Sequence, residues 1–208
     1  VARSLGLPAS PGRRSFLTIG VTAGAAAFLT GCTKAGNDAS AISVDAPNGS
    51  DIGFFTDMSA HHEQGLAMCQ RVLGRDTGPA VQASAAEILQ SQSYERGIMH
   101  TWLQVWGEST AMPETVMAWM GMGMPMGEMP GLATPAEMEL LATTTGLPQG
   151  RLFLQLMRAH HLGGIHMADA AVSMASIANV QGLAARMSAS QTYEIAIFDQ
   201  LLDTTYSG

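Results

Sequence analysis

Two stretches of the sequence carry side chains able to do chemistry: "DMSAHHEQGLAM", from Asp57 to Met68, and "LMRAHHLGGIHM", from Leu156 to Met167. Each places a methionine three residues before a pair of adjacent histidines, and a second methionine six residues after the pair. Imidazole nitrogens and thioether sulfurs form a natural donor set for Cu(I), and a thioether is not lost to disulfide formation outside the cytoplasm. The candidate ligands are therefore His61, His62, His160 and His161, with Met58, Met68, Met157 and Met167. The plainer alternative is a structural one, since methionine at helical spacing usually fills core gaps.

The two stretches belong to a longer echo. Residues 54–103 compared with 153–202, a shift of 99 positions without a gap, give 17 identities in 50 pairs. A composition of this kind would give about four by chance. Gln92 and Glu95 recur as Gln191 and Glu194, Gly65 recurs as Gly164, and Cys69 corresponds to Ala168. The domain reads as an internal duplication. At roughly 100° per residue, Met58, His61, His62, Gly65, Met68 and Cys69 share one broad side of a helix, and their counterparts share another. His166 falls on the opposite side and is left out of any site. Glycine one turn after each histidine pair permits close helix approach. Glu95 and Glu194 are placed to accept a ring N–H and orient the histidines, with Gln92 and Gln191 on the same face. Cys69, without a duplicated counterpart, is expected to be a small buried side chain.

A second cluster of soft donors lies between the repeats. Met112, Met117, Met120, Met122, Met124, Met126 and Met129 place seven of the 15 methionines within 18 residues. From Met120 to Met126 they alternate with Gly121, Gly123 and Pro125, a pattern that opposes both helix and packed strand. A flexible, exposed segment is expected. Met120, Met122, Met124 and Met126 would then serve as a capture arm for Cu(I) or Ag(I). The other reading is a hydrophobic lid or a partner-docking loop.

These residues need elements to hold them. The chain has 208 residues, 47% of them apolar and 13% charged, enough for one helical domain with a real core. Each repeat predicts a helical hairpin: helices from about Asp51 to Leu73 and from Pro79 to near Gly107, then from about Gln149 to Ser176 and from about Val180 to Asp203. Four such helices predict an all-α four-helix bundle built from two duplicated hairpins. The connecting segment, residues 108–150, is long for a bundle, and "TPAEMELLA" within it predicts a short helix capped by Thr134 and Glu137. The resulting organisation is 51–107 for the first hairpin, 108–150 for the methionine-rich linker and 151–208 for the second hairpin.

The N-terminal region reads as an address. "GRRSFLTIGVTAGAAAFLTGC" carries Arg13 and Arg14 before an apolar run that is short for a bilayer span, and it ends in a lipobox-like Leu29-Thr30-Gly31-Cys32; the alternative, an uncleaved N-terminal anchor, also leaves the domain outside the cytoplasm. Residues 1–31 are expected to be a lipoprotein signal peptide of twin-arginine-like type. Cys32 would be the lipidated residue, and residues 32–50 a flexible tether. Processing would remove three arginines and no acid, so the remaining charge is 7 − 17 = −10. That balance argues against nucleic acid and against electrostatic membrane binding, leaving the lipid as the attachment. Cys69 would be the only free thiol, and the fold must rest on its core.

Two Met-x-x-His-His elements, each followed by Gln-x-x-Glu, resemble the bacterial family known as domain of unknown function 305. Here they are Met58, His61 and His62 with Gln92 and Glu95, then Met157, His160 and His161 with Gln191 and Glu194. The resemblance covers about residues 51–204. It implies a ferritin-like helical bundle and, from some members, extracytoplasmic copper binding or tolerance. The family's usual proline before the first histidine is replaced by Ala60 and Ala159. Ferritin-like architecture also raises a di-metal oxidase. However, Glu87, Glu95 and Glu194 are followed three positions on by Gln90, Ile98 and Ile197 in place of histidine. The sequence therefore leads to an exported, lipid-anchored copper-binding protein, not an enzyme. The alternative from another class is a metal-free cell-envelope interaction module docking a partner through its linker.

Overall fold

The protein, here as a computed structural model, is described over residues 46–207. The expected signal peptide, Cys32 and all but the last five residues of the expected tether lie outside the described residues. Over the described residues the chain is all-α in class, with five α-helices: α1 (Gly49–Val72), α2 (Pro79–Trp106), α3 (Pro135–Thr143), α4 (Gly146–Met174) and α5 (Ala178–Asp203). Among the described residues, no helix is long and apolar enough to cross a membrane.

Local chemistry sets the helix ends. The Asn48 side chain accepts from the backbone of Ser50 and Asp51, while the Asp51 carboxylate accepts from the Asn48 N–H at 2.7 Å. This capping box starts α1 just before the expected Asp51. Pro79 occupies the first turn of α2, and Gly107 closes it at φ 78. The Thr134 and Glu137 box opens α3 as the sequence predicts. Helix α4 begins at Gly146, ahead of the expected Gln149, because Pro148 falls in the first turn, where a backbone N–H has no helical acceptor. It stops at Met174, short of the expected Ser176, where Asp51 accepts the Ser176 and Ile177 N–H groups, each at 3.1 Å.

Helix α1 packs on α2, α4 packs on α5, and the two pairs meet where α1 lies against α4. These central helices run antiparallel. Asp51 at the start of α1 bonds the turn after α4, and Gln149 near the start of α4 donates to the Arg71 carbonyl near the end of α1. Two apolar clusters result. One gathers Phe54, Phe55 and Met58 of α1 with Met99, Met167, Ala171 and Met187. The other gathers Met68, Cys69 and Val72 of α1 with Val81, Phe153, Met157 and Phe198.

The linker differs from the expected flexible arm. Thr115–Val116 (β1) and Met124–Pro125 (β2) form a short antiparallel pair, with Thr115 opposite Pro125 and Val116 opposite Met124. Met117 and Met129 are buried. Met120, Met124 and Met126 are half-buried against the first apolar cluster. Only at Met112 and Met122 does the segment offer well-exposed thioethers. The glycine and proline spacing does exclude long regular structure, but it leaves tight turns free to fold the side chains inward. The buried Asp57 of α1 anchors them, accepting from the Met117 N–H at 2.6 Å and the Trp119 indole N–H at 2.9 Å.

Candidate metal centre

Antiparallel packing of α1 on α4 brings the two histidine pairs to one level. The rings of His61 and His160 stack with centroids 3.7 Å apart and planes inclined by 28°. His62 lies 6.5 Å from His61, and His161 lies 6.1 Å from His160, ring to ring. All four imidazoles are fully buried. The first apolar cluster lies on one side of this layer and contributes Met58 and Met167. The second lies on the other side and contributes Met68 and Met157. The helical spacing thus places polar rings between two methionine-bearing floors.

Hydrogen bonds fix which ring nitrogens carry protons. His62 Nε2 meets Glu95 Oε2 at 2.9 Å, and His161 Nε2 meets Glu194 Oε2 at 2.5 Å. His160 Nε2 meets the His61 carbonyl at 2.9 Å. Carboxylates and carbonyls only accept, so each of these Nε2 atoms donates, and in the neutral ring the corresponding Nδ1 carries the lone pair. Those three Nδ1 atoms, together with both nitrogens of His61, are buried without a hydrogen-bond partner. Burial, reinforced by the neighbouring imidazoles His160, His62 and His161, holds His61 far below the usual imidazole range. Burial and the nearby His161 push His160 down to about 3, against the opposing effect of its bond to the His61 carbonyl. His61 and His160 are therefore neutral at physiological pH, the state in which imidazole binds metals.

Glycine makes room for two further polar groups. A Cβ on Gly65 would stand 2.3 Å from Gln92 Oε1 and 3.0 Å from His160 Cε1, and a Cβ on Gly164 would stand 2.3 Å from Gln191 Oε1. Gln92 and Gln191 are buried, and both amide oxygens lack a partner. The expected close approach at these glycines is therefore an approach of glutamine amides from α2 and α5.

The donor chemistry fits a copper ion, and the orphaned ring nitrogens give a reason for one. The rings, however, stack on one another and do not converge. Among the described residues, no three His, Cys, Asp or Glu side chains stand where they could already share a metal. The sequence-derived candidates divide accordingly. His61, His62, His160, His161, Glu95, Glu194, Gln92 and Gln191 meet in one layer, with Met58, Met68, Met157 and Met167 on its floors. Met120, Met122, Met124 and Met126 belong to the linker, which packs on the first cluster. His166 is exposed on the far side of α4, as its helical position predicts. Cys69 is fully buried, its thiol pushed up to about 12 by burial and by Glu194.

Sequence reasoning missed a strap over this layer. The linker at residues 130–133 crosses the turns carrying the histidines. Gln64 donates to the Ala133 carbonyl at 2.9 Å and accepts its N–H at 2.6 Å. At the equivalent position of the other repeat stands Gly163, where a Cβ would strike the Pro130 carbonyl. The signal was a break in the echo: Gln64 and Gly163 differ two positions beyond two matched histidines.

The family profile described as "Domain of unknown function (DUF305)" matches residues 51–202. Among solved structures, a DUF305 protein from Streptomyces coelicolor is 40% identical. The match covers 74% of this chain and 92% of that one, with a TM-score of 0.69. A DUF305 fragment from Deinococcus radiodurans is 26% identical, covering 75% of this chain and 97% of that one, with a TM-score of 0.64. CopM in its Cu(I)-bound form is 24% identical, again covering 75% and 97%, with a TM-score of 0.59, a likeness of fold alone. No curated protein sequence matches the chain.

Proposed function

The chain belongs to the DUF305 family, and from that premise we propose that it is an extracytoplasmic copper-binding protein that buffers or delivers the ion, or confers tolerance to it. The observation carrying this reading is the layer of four buried imidazoles holding five ring nitrogens without partners. A buried polar atom left unsatisfied costs about 1–3 kcal/mol, so a purely structural layer of this kind is expensive. A soft or borderline cation would satisfy these atoms. Glu95 and Glu194 hold the rings of His62 and His161 by their Nε2–H groups, leaving Nδ1 as the donor nitrogen. His61 and His160 must unstack to offer theirs, and the thioethers of Met58, Met68, Met157 and Met167 stand in reserve on either floor. Copper would supply Lewis acidity toward these donors and nothing catalytic; we read the protein as a binder, not an enzyme. CopM, of like fold, has been crystallised with Cu(I), Cu(II) and silver, which supports the same reading.

A ferritin-like four-helix bundle arising by internal duplication accounts for equivalent His–Glu and Gly–Gln contacts in the two halves. Lipid attachment at Cys32 rests on the lipobox-like sequence. The half-buried linker methionines favour a lid over an open capture arm or a docking loop.

A competition titration tests the function. The protein is titrated with Cu(I) against a colorimetric chelator, then again with His61, His62, His160 and His161 changed to alanine, and again with Met120, Met122, Met124 and Met126 changed to leucine. We expect the unmodified protein to withdraw copper from the chelator, the histidine variant to fail and the leucine variant to retain most binding. A protein that never competes sinks the copper reading. Loss confined to the leucine variant moves the site to the linker.

A further inference from the structure

We propose that Gln92 and Gln191 are direct oxygen donors that enable the histidine layer to hold Cu(II) as well as Cu(I), an inference that rests on the copper-binding reading above. Both side chains are more than nine-tenths buried, at 3% and 2% exposure, and neither amide oxygen has a partner. Gln64 Oε1 and Gln82 Oε1 accept from Ala133 and Gly74, while the unpartnered oxygen of Gln149 lies near the start of α4, away from the histidine pairs, on a side chain whose Nε2 already ties the Arg71 and Leu141 carbonyls. The two orphaned oxygens occupy equivalent places in the two halves, each over the glycine one turn beyond a histidine pair.

At Gly65 the glutamine oxygen stands beside a histidine ring. The position a Gly65 Cβ would take lies 2.3 Å from Gln92 Oε1 and 3.0 Å from His160 Cε1, the carbon between the ring's two nitrogens, of which Nδ1 is unpartnered. An amide oxygen of the first hairpin and the edge of an imidazole of the second therefore border the same glycine. An amide carbonyl is a hard donor. It adds little to Cu(I), which prefers thioether and imidazole, whereas Cu(II) favours tetragonal sets of nitrogen and oxygen. With methionine floors for the monovalent ion and glutamine oxygens for the divalent one, the same layer can retain copper in either oxidation state.

The test compares both ions on the full protein. Gln92→Leu/Gln191→Leu is titrated anaerobically with Cu(I) and separately with Cu(II), each against a chelator specific for that ion, and the Cu(II) form is examined by EPR. We expect Cu(II) affinity to fall by about 10- to 100-fold, the scale on which such ligand-shell changes act. Cu(I) affinity should change by less than about threefold on the same tenfold-per-decade scale, and the Cu(II) hyperfine pattern should shift. Gln92→Glu/Gln191→Glu keeps an oxygen at each place and should restore Cu(II) binding, which decides the matter if the leucine variant does not fold. Unchanged Cu(II) affinity and spectrum in a folded leucine variant overturn the inference while leaving the copper reading intact. Equal loss of both ions, or no rescue by glutamate, also overturns it. Failure of the unmodified protein to bind either ion removes the reading on which it stands.

Discussion

His61 and His160 stack with ring centroids 3.7 Å apart in full burial, an arrangement that disfavours protonation of either imidazole. The folded-state value of each lies below the usual 6.5, that of His160 at about 3. In the unfolded chain both titrate near 6.5, so between about pH 6.5 and pH 3 the unfolded state binds more protons. The stability held by neutral rings is complete above about pH 6.5 and is lost as pH falls toward the folded value. Chemical denaturation of the copper-free protein at pH 7.5 and 4.5 should show a loss on the order of 2–3 kcal/mol from His160 alone. The variant His61→Leu/His160→Leu should flatten that dependence, and an equally steep profile in it would place the pH sensitivity elsewhere. Gly65 offers a second test on this scale. Alanine in a helix interior ordinarily stabilises by about 0.5–1 kcal/mol over glycine. Here its methyl would meet Gln92 Oε1 at 2.3 Å and the His160 ring at 3.0 Å. Overpacking of this kind costs about 1–3 kcal/mol, so Gly65→Ala should lower the denaturation midpoint despite its better helix propensity.

Among the elements, the linker departs furthest from its sequence pattern, because a single buried carboxylate recruits it. Asp57 is held protonation-prone by burial, against the pull of its bonds from Met117 and Trp119. Those two bonds seat the β1–β2 hairpin on α1, with Met117 in a left-handed conformation at φ 60 that a non-glycine residue adopts only when its surroundings enforce it. Asp57→Ala would leave a buried N–H unsatisfied, at a cost of about 1–3 kcal/mol. Hydrogen exchange should then accelerate across residues 115–126 and Trp119 fluorescence should shift toward that of a solvated indole, while α4 and α5 keep their protection. Uniform loss of protection throughout the protein would instead make the linker part of the cooperative core. Gln64 provides the same kind of control at the strap: Gln64→Ala should speed exchange at Ala133 and its neighbours without disturbing β1 and β2.

At the scale of the molecule, the helices and the histidine layer were legible because both are written in local periodicity and in a 99-residue echo that survives any detail of packing. The stacked His61–His160 pair, the Asp57 anchor and the strap over Gln64 and Gly163 were not. Each joins residues far apart in sequence, and no spacing rule encodes which loop will cross which helix. The echo has a further consequence for folding. Neither hairpin holds a core of its own: the first apolar cluster joins Phe54, Phe55 and Met58 to Met167, Ala171 and Met187, and the second joins Met68 and Val72 to Phe153 and Met157. Isolated helices gain most of their stability from such packing, so a hairpin cut from its partner exposes the apolar faces of both its helices. Residues 46–107 expressed alone should therefore lack a cooperative thermal transition at low concentration by circular dichroism, and should recover one when mixed with residues 108–207. The identities at Met58/Met157, His61/His160, Gly65/Gly164 and Met68/Met167 add a second expectation. At higher concentration the first hairpin alone should pair with its own copy, replacing the missing half by a near-equivalent surface, and sedimentation should report a dimer as the helical signal appears. A monomeric first hairpin that melts cooperatively would show that the contact between α1 and α4 is an attachment between two finished units rather than the core that completes both.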